Sequence, residues 1–179
     1  MNPAVTIAVL TWLAVMLVMA GEAALSTYNA RLLRARGAIE PKDDVYRTMQ
    51  WAYPALFLAM AIEGAVRGPA PPNMLVFGLA VFGFAKALKM SAIAALGVRW
   101  TFRVLVVPDT PLVKSGPYRV LRHPNYFAVA GEIVGMALIV FAPVTGALAL
   151  ASFGWLMLKR IRVEERALGL RQHSGIDRV

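Results

Sequence analysis

The sequence predicts an all-α integral membrane protein with about five transmembrane helices. Hydrophobic residues fill 59% of its 179 positions and the mean hydropathy is +0.60. These residues gather in long apolar runs, and most of the 19 lysines and arginines fall between the runs. A soluble domain of this size can bury a core, but it does not carry so many runs long enough to cross a bilayer.

The cations also set the expected topology. Sixteen of the nineteen lie in three segments, Arg31 to Arg47, Arg99 to Arg122 and Lys159 to Arg178; Arg67 stands apart, and Lys86 and Lys89 lie inside an apolar run. Cytosolic loops are enriched in Lys and Arg, so the N-terminus is expected outside and the C-terminus inside. The net charge of +9 is spread over separate loops rather than along one polar face, which argues against nucleic acid as a partner. With no cysteine and only two histidines, His123 and His173, no metal-ligand pattern or thiol nucleophile is available.

Pro3 to Gly21 is the first span; the basic residues follow it rather than precede it, which argues against a cleaved signal peptide. Glu22 is expected to close this helix. Asn29 to Pro41 then reads as an interfacial segment stopped by Gly37, serving as a surface helix or as a lid over the site. Trp51 to Val66 is the second span, with Glu63 in reach of Arg67, and Arg67 to Pro72 is a rigid outer turn. Met74 to Leu96 is the third. Its Lys86 and Lys89 share a face at i, i+3 and must pair or meet a polar cavity, with Glu132 as the expected partner of one of them.

Val98 to Asn125 is the long inner loop. Tyr126 to Ala142 and Gly146 to Leu158 are the fourth and fifth spans, joined at Pro143, and the last helix continues through Lys159 to Leu170. In Arg160 to Glu165, i, i+4 and i, i+3 spacing predicts ordinary surface pairs, Arg160 with Glu164 and Arg162 with Glu165. The chain is read as one domain: 1–96 with three spans and the interfacial segment, 97–170 as the cofactor-binding core, and 171–179 as a short tail.

Chemistry concentrates between Lys114 and Glu132, where a Gly116-Pro117 turn, Tyr118, Arg119, Arg122, His123, Pro124 and Tyr126 lead into an apolar helix. Pro124 holds His123 outside the helix and itself suits the first helical position. The free N–H groups of that first turn then face the same place as Arg119, Arg122 and His123, a setting for an anionic group. A basic turn at a membrane helix also serves simply as a lipid-headgroup anchor. That bland role does not require a constrained turn, a histidine and two phenols together. Glu132, seven residues after Asn125, shares its helical face within apolar surroundings, and Glu164 and Glu165 emerge on the same side of the membrane.

Gly116-Pro117-Tyr118-Arg119, Arg122-His123-Pro124-Asn125-Tyr126, and Arg162 with Glu164-Glu165 and Leu168 resemble the isoprenylcysteine carboxyl methyltransferase (ICMT) family in residues and order. Arg99-Trp100-Thr101, the Asn29 to Glu40 segment and Pro111-Leu112-Val113 resemble its bacterial branch, which includes O-methyltransferases of alkylpyrones and alkylresorcinols. The resemblance implies S-adenosylmethionine as cofactor, bound by Gly116, Tyr118, His123, Pro124, Tyr126 and Glu165 and left as S-adenosylhomocysteine. It implies catalytic or acceptor-side roles for Arg122, Glu132 and Arg162. The implied acceptor is a lipophilic or prenylated molecule drawn from the bilayer, among membrane lipids. The implied location is a bacterial inner membrane with the active site on the cytosolic side.

A carboxylate acceptor is already ionised, whereas a phenol or hydroxypyrone needs a base or a nearby cation. His123 or Glu132 is the candidate base, and Tyr118 and Tyr126 suit cation–π contact with a sulfonium. One departure is that the family's Phe-Gly...Tyr...Tyr segment is replaced by Gly169 to Val179. Two rival readings stand. Arg-His-Pro-Asn-Tyr followed by Gly-Glu also resembles the NADPH-dependent sterol and steroid reductases, and a non-enzymatic membrane scaffold is the third class. No strand-Gly-x-Gly-x-x-Gly-helix unit is present for a soluble-type nucleotide site. The acceptor's identity and the oligomeric state are left open.

Overall fold

In the computed structural model, which describes residues 3–108 and 110–170, the chain forms five α-helices. They are α1 Pro3–Ala35, α2 Tyr46–Arg67, α3 Pro72–Leu96, α4 Pro124–Ile139 and α5 Pro143–Ala167, with short 3-10 turns at Gly97–Arg99 and Gly116–Arg119. Proline opens α3, α4 and α5, where its missing N–H costs nothing and its fixed φ suits the helix. Among the described residues the only β pairing is a single bridge between Ile39 and Val106, which ties the α1–α2 loop to the α3–α4 loop.

Three helical stretches, Pro3–Ala35, Pro72–Arg99 and Pro143–Ala167, are long and apolar enough to cross a membrane by themselves. The 16-residue α4 spans about 24 Å at 1.5 Å per residue. The exterior is greasy: Leu17, Val66 and Phe84 are each about three-quarters or more exposed. A water-facing surface of this kind would aggregate, whereas hydrocarbon solvates it.

The first helix corrects the sequence reading. Glu22 does not end it; α1 runs without a break to Ala35 and absorbs most of the expected interfacial segment. Lys86 and Lys89 neutralise Glu22 inside the bundle, so the carboxylate can be buried in mid-helix. Gly37 does stop the helix. At φ +78 it lets Ala38 N donate to Leu33 O and its own N donate to Arg34 O, both at 3.0 Å, a Schellman-type end.

The closest helix pair is α3 with α4. A Cβ added to Gly135 would fall 2.7 Å from Phe82 Cβ and 2.8 Å from its Cα, and one added to Gly131 would fall 2.9 Å from Ala85 Cβ. Gly131 and Gly135 are four apart on one face and let the backbones touch, the small-residue packing that replaces the hydrophobic effect between helices in lipid. On the other side Phe57, Met60, Ile133 and Met136 form a fully buried centre shared by α2 and α4. Glu63 meets Arg67 as expected at 2.5 Å, and it also caps α5, accepting from Val144 N at 3.2 Å and Thr145 N at 2.7 Å.

Candidate active site

At the N-terminal end of α4 and the C-terminal end of α5 the polar residues of two distant sequence segments meet. His123 is the N-cap of α4 and Pro124 its first residue, as the local sequence dictates. His123 Nε2 lies 3.2 Å from Glu165 Oε1, and Tyr126 donates its hydroxyl to Glu164 Oε2 at 2.9 Å. The His123 and Tyr126 rings meet edge-on with centroids 5.8 Å apart. Gly116 opens its 3-10 turn with φ +55 and lies close against Ala95 of α3. That turn sets Tyr118 near the same carboxylates: burial, helped by the Glu164 charge, pushes its phenol pKa up and keeps it a protonated donor.

The floor of this mouth is fastened from α1. Asn29, buried, donates to Trp100 O at 2.8 Å and to Gly97 O at 3.3 Å, and the Trp100 indole N–H donates to Asn125 Oδ1 at 3.3 Å. Ser26 Oγ accepts from Phe102 N at 2.7 Å. The α3–α4 loop is thereby held to the helix that enters the bilayer first.

Comparison with known proteins adds a family to this geometry. The sequence profile described as Isoprenylcysteine carboxyl methyltransferase (ICMT) family matches residues 76–170, more than half the chain and all of α4 and α5. The chain belongs to the isoprenylcysteine carboxyl methyltransferase family. That family is one of S-adenosylmethionine-dependent membrane methyltransferases. The chain is also 32% identical over 149 residues to a Bacillus subtilis protein described as uncharacterized protein YpbQ, covering 83% of this chain and 89% of that one. A Haemophilus influenzae protein, also described as uncharacterized, is 28% identical over 145 residues, covering 80% and 84% of the two chains. No solved structure matches.

Within the family-matched region the anticipated residues separate into three groups. Gly116, Tyr118, His123, Pro124, Tyr126 and Glu165 come together at the mouth. Arg122 and Arg162 lie exposed at its edge, on the α3–α4 loop and on α5. Glu132 stands two turns deeper in α4, only 1% exposed, and takes no part in the mouth.

Arg160 departs from the surface pair expected with Glu164. It turns inward, donating to Phe102 O, lying 3.9 Å from Met49 Sδ and 4.0 Å from Asp44 Oδ2. Asp44 also accepts from Val104 N and Tyr46 N, both at 3.2 Å, so Arg160 and Asp44 clamp the α1–α2 and α3–α4 loops to α5. Helical spacing shows which residues can pair on one helix, but not that a loop carbonyl will claim the arginine first. The roles of Asn29 and Trp100 were equally hidden, because both act across the bundle.

Around Glu132 the structure gathers more than the sequence foretold. Both lysines of α3 reach it, not one, and both also reach Glu22 of α1. Tyr53 of α2 donates its hydroxyl to Glu132 Oε2. Val81, Phe84, Leu88, Leu121 and Phe127 line an apolar groove of about 570 Å³ between α3 and α4.

Proposed function

We propose that this protein is an S-adenosylmethionine-dependent O-methyltransferase acting at the cytosolic membrane interface on a lipophilic acceptor. The observation that carries the reading is the meeting of His123 and Tyr126 of α4 with Glu165 and Glu164 of α5, inside the family-matched region. When bound, S-adenosylmethionine supplies a methyl group on a sulfonium, an electrophile that needs no metal.

The residues fit such a ligand. Glu164 keeps a third of its side chain open and contacts a phenol rather than a fixed cation, so it retains capacity for the donors of an amino group or a ribose. Tyr118 and Tyr126 offer aromatic faces to positive charge. Gly116 and Pro124 shape the turns that carry these side chains, and His123, braced by Glu165, holds its ring across the entrance. Arg122, Arg162 and Glu132 are assigned to the acceptor side. The buried Arg160 is assigned to holding the inner loops closed around the cofactor.

The acceptor is proposed to reach the site from the bilayer with its chain along the α3–α4 groove and to present a carboxylate or a phenol or hydroxypyrone oxygen. The alkylpyrone and alkylresorcinol enzymes are the branch proposed for it. Five crossings, N-terminus out and C-terminus in, place the mouth in the cytosol of a bacterial cell, consistent with the distribution of cations.

Calorimetry on the detergent-purified protein tests the reading, with S-adenosylhomocysteine and NADPH titrated separately. Saturable binding of S-adenosylhomocysteine that His123→Ala and Glu165→Ala abolish is the expected result. Binding of NADPH alone would transfer the site to the reductases, and binding of neither would leave a scaffold.

A further inference from the structure

A polar cavity of about 420 Å³ lies where the α1–α2 loop meets the start of α2 and the α3–α4 loop, lined by Glu40, Lys42, Asp44, Tyr46, Arg47 and Arg103. Its size falls within the range of small-molecule sites. Nothing in the proposed methyl transfer uses it.

Charge in this cavity does not cancel. Glu40 meets Arg34 at 2.8 Å as well as Arg103 at 2.7 Å, and Asp44 is engaged by Val104 N, Tyr46 N and Arg160. Both acids therefore have partners other than the remaining cations. Lys42 and Arg47 are exposed, and neither forms an ion pair or side-chain hydrogen bond with a described residue. The Arg103 guanidinium lies over the Tyr46 ring, 4.4 Å from its centroid, and donates to Glu40 through Nη1. It is thus held in place with further N–H groups to offer. Three cations set around one cavity suit an anion with several acceptor oxygens, as a phosphate has.

The helix that leaves the cavity indicates which anion. Arg47, Trp51, Ala55, Leu58, Ile62 and Val66 are all exposed and recur every three or four residues, so they form one stripe along α2. Beyond Arg47 that stripe is wholly apolar. Trp51 is 75% exposed one turn from Arg47, and an indole between a cation and an apolar stripe is the arrangement typical of the headgroup level of a bilayer. A soluble phosphate would engage the cations and leave the stripe bare, whereas a phospholipid engages both.

We infer that Lys42, Arg47 and Arg103 form a site for the phosphate of an anionic membrane lipid, whose acyl chains lie along the Trp51 to Val66 stripe of α2. A head of net negative charge complements the unmatched cations, while a zwitterionic head brings a cation of its own among them. The inference is independent of methyl transfer and rests on α2 crossing the bilayer, as proposed above.

Native mass spectrometry of the delipidated protein in detergent tests it, with dioctanoyl phosphatidylglycerol, dioctanoyl phosphatidylcholine and glycerol 3-phosphate titrated separately. Wild type is expected to retain one phosphatidylglycerol saturably and at least about tenfold more tightly than phosphatidylcholine, the order expected when two or more cations meet a net negative head. Glycerol 3-phosphate, which has no chains for the stripe, should be held much more weakly. Lys42→Gln with Arg47→Gln is expected to abolish the preference and to leave the unfolding temperature in lipid-free detergent unchanged, since neither side chain has a partner to lose. Lys114→Gln with Arg119→Gln removes two cations from the α3–α4 loop instead and should keep the preference.

Equal retention of the two lipids by wild type overturns the inference. So does a preference that survives without Lys42 and Arg47, or one lost equally without Lys114 and Arg119. Glycerol 3-phosphate held as tightly as phosphatidylglycerol makes the cavity a site for soluble phosphate and overturns it too. The placement of α2 is read separately: the chain has no cysteine, so Leu58→Cys supplies a single thiol in lipid vesicles. Protection of that thiol from a membrane-impermeant maleimide is expected, and labelling would remove α2 from the bilayer and the acyl-chain stripe with it.

Discussion

The two polar regions of this molecule use the same residue types in opposite ways. In the bundle core, Glu22 and Glu132 each meet both lysines, and the charges cancel within one ring. At the mouth, Glu164 meets Tyr126, and Glu165 meets His123, on side chains that stay partly exposed. Glu22, Lys89 and Glu132 are almost fully buried, so their charges must be compensated by one another. The mouth carboxylates are partly exposed, a third of the Glu164 side chain and about a sixth of that of Glu165, so solvent can share their charge. A carboxylate's surroundings, not its identity, decide whether it is matched or available.

The widest separation should come from deleting one charge in each region. Lys89→Met leaves an unbalanced carboxylate in the core and is expected to destabilise by about 3–5 kcal/mol, seen as a lower unfolding temperature in detergent. Adding Glu22→Gln restores neutrality and should recover much of that loss. Glu165→Gln at the mouth should leave the unfolding temperature nearly unchanged while weakening S-adenosylhomocysteine about tenfold or more in calorimetry, as expected for a lost hydrogen bond to a charged group. If the two deletions cost similar stability, the contrast between closed and open regions fails.

The frame that holds both regions in register can be probed at its tightest crossing. Gly135→Ala drives a methyl into the Phe82 backbone and is expected to cost about 1–3 kcal/mol, with a smaller loss of cofactor affinity because α4 carries His123 and Tyr126. Gly154→Ala on α5, where an added Cβ meets nothing within 4 Å, should be neutral or slightly stabilising in the same melt.

The smallest effect is expected at Glu40, which bridges Arg34 of α1 and Arg103 of the α3–α4 loop. Burial works to raise the pKa of Glu40, but Arg34 and Arg103, at 2.8 and 2.7 Å, outweigh it and hold the carboxyl below its ordinary value of 4.5. The stability from this lowered pKa is therefore complete above about pH 4.5 and is lost as pH falls through the depressed folded value. The group is partly exposed, so the change should be slight and should shrink further in high salt. Unfolding curves of wild type and Glu40→Gln between pH 3 and 6 should converge at the acid end.

Much of the mouth was legible because its determinants are local. Pro124 dictates that His123 caps α4, Gly37 that α1 must end, and the residue pattern around both marks the family before any contact is known. Lys86 and Lys89 at i, i+3 announced that an apolar run needed a counter-charge, and Glu132 was visible as one source. What sequence by itself determined, then, was which segments are helical and which side chains need partners in hydrocarbon.

Only the tertiary structure decided who those partners are. Glu22 looked like a helix end because an unpaired carboxylate does not belong in a span; it continues the helix because two lysines on α3 reach it across the bundle. Arg160 looked like a surface residue because Glu164 is four positions away, yet the Phe102 carbonyl and Asp44 draw it inward. Helical periodicity assigns a residue to a face. In a medium that cannot solvate charge, the fate of that face is set by whichever opposite charge packing brings near, and that choice is made between helices.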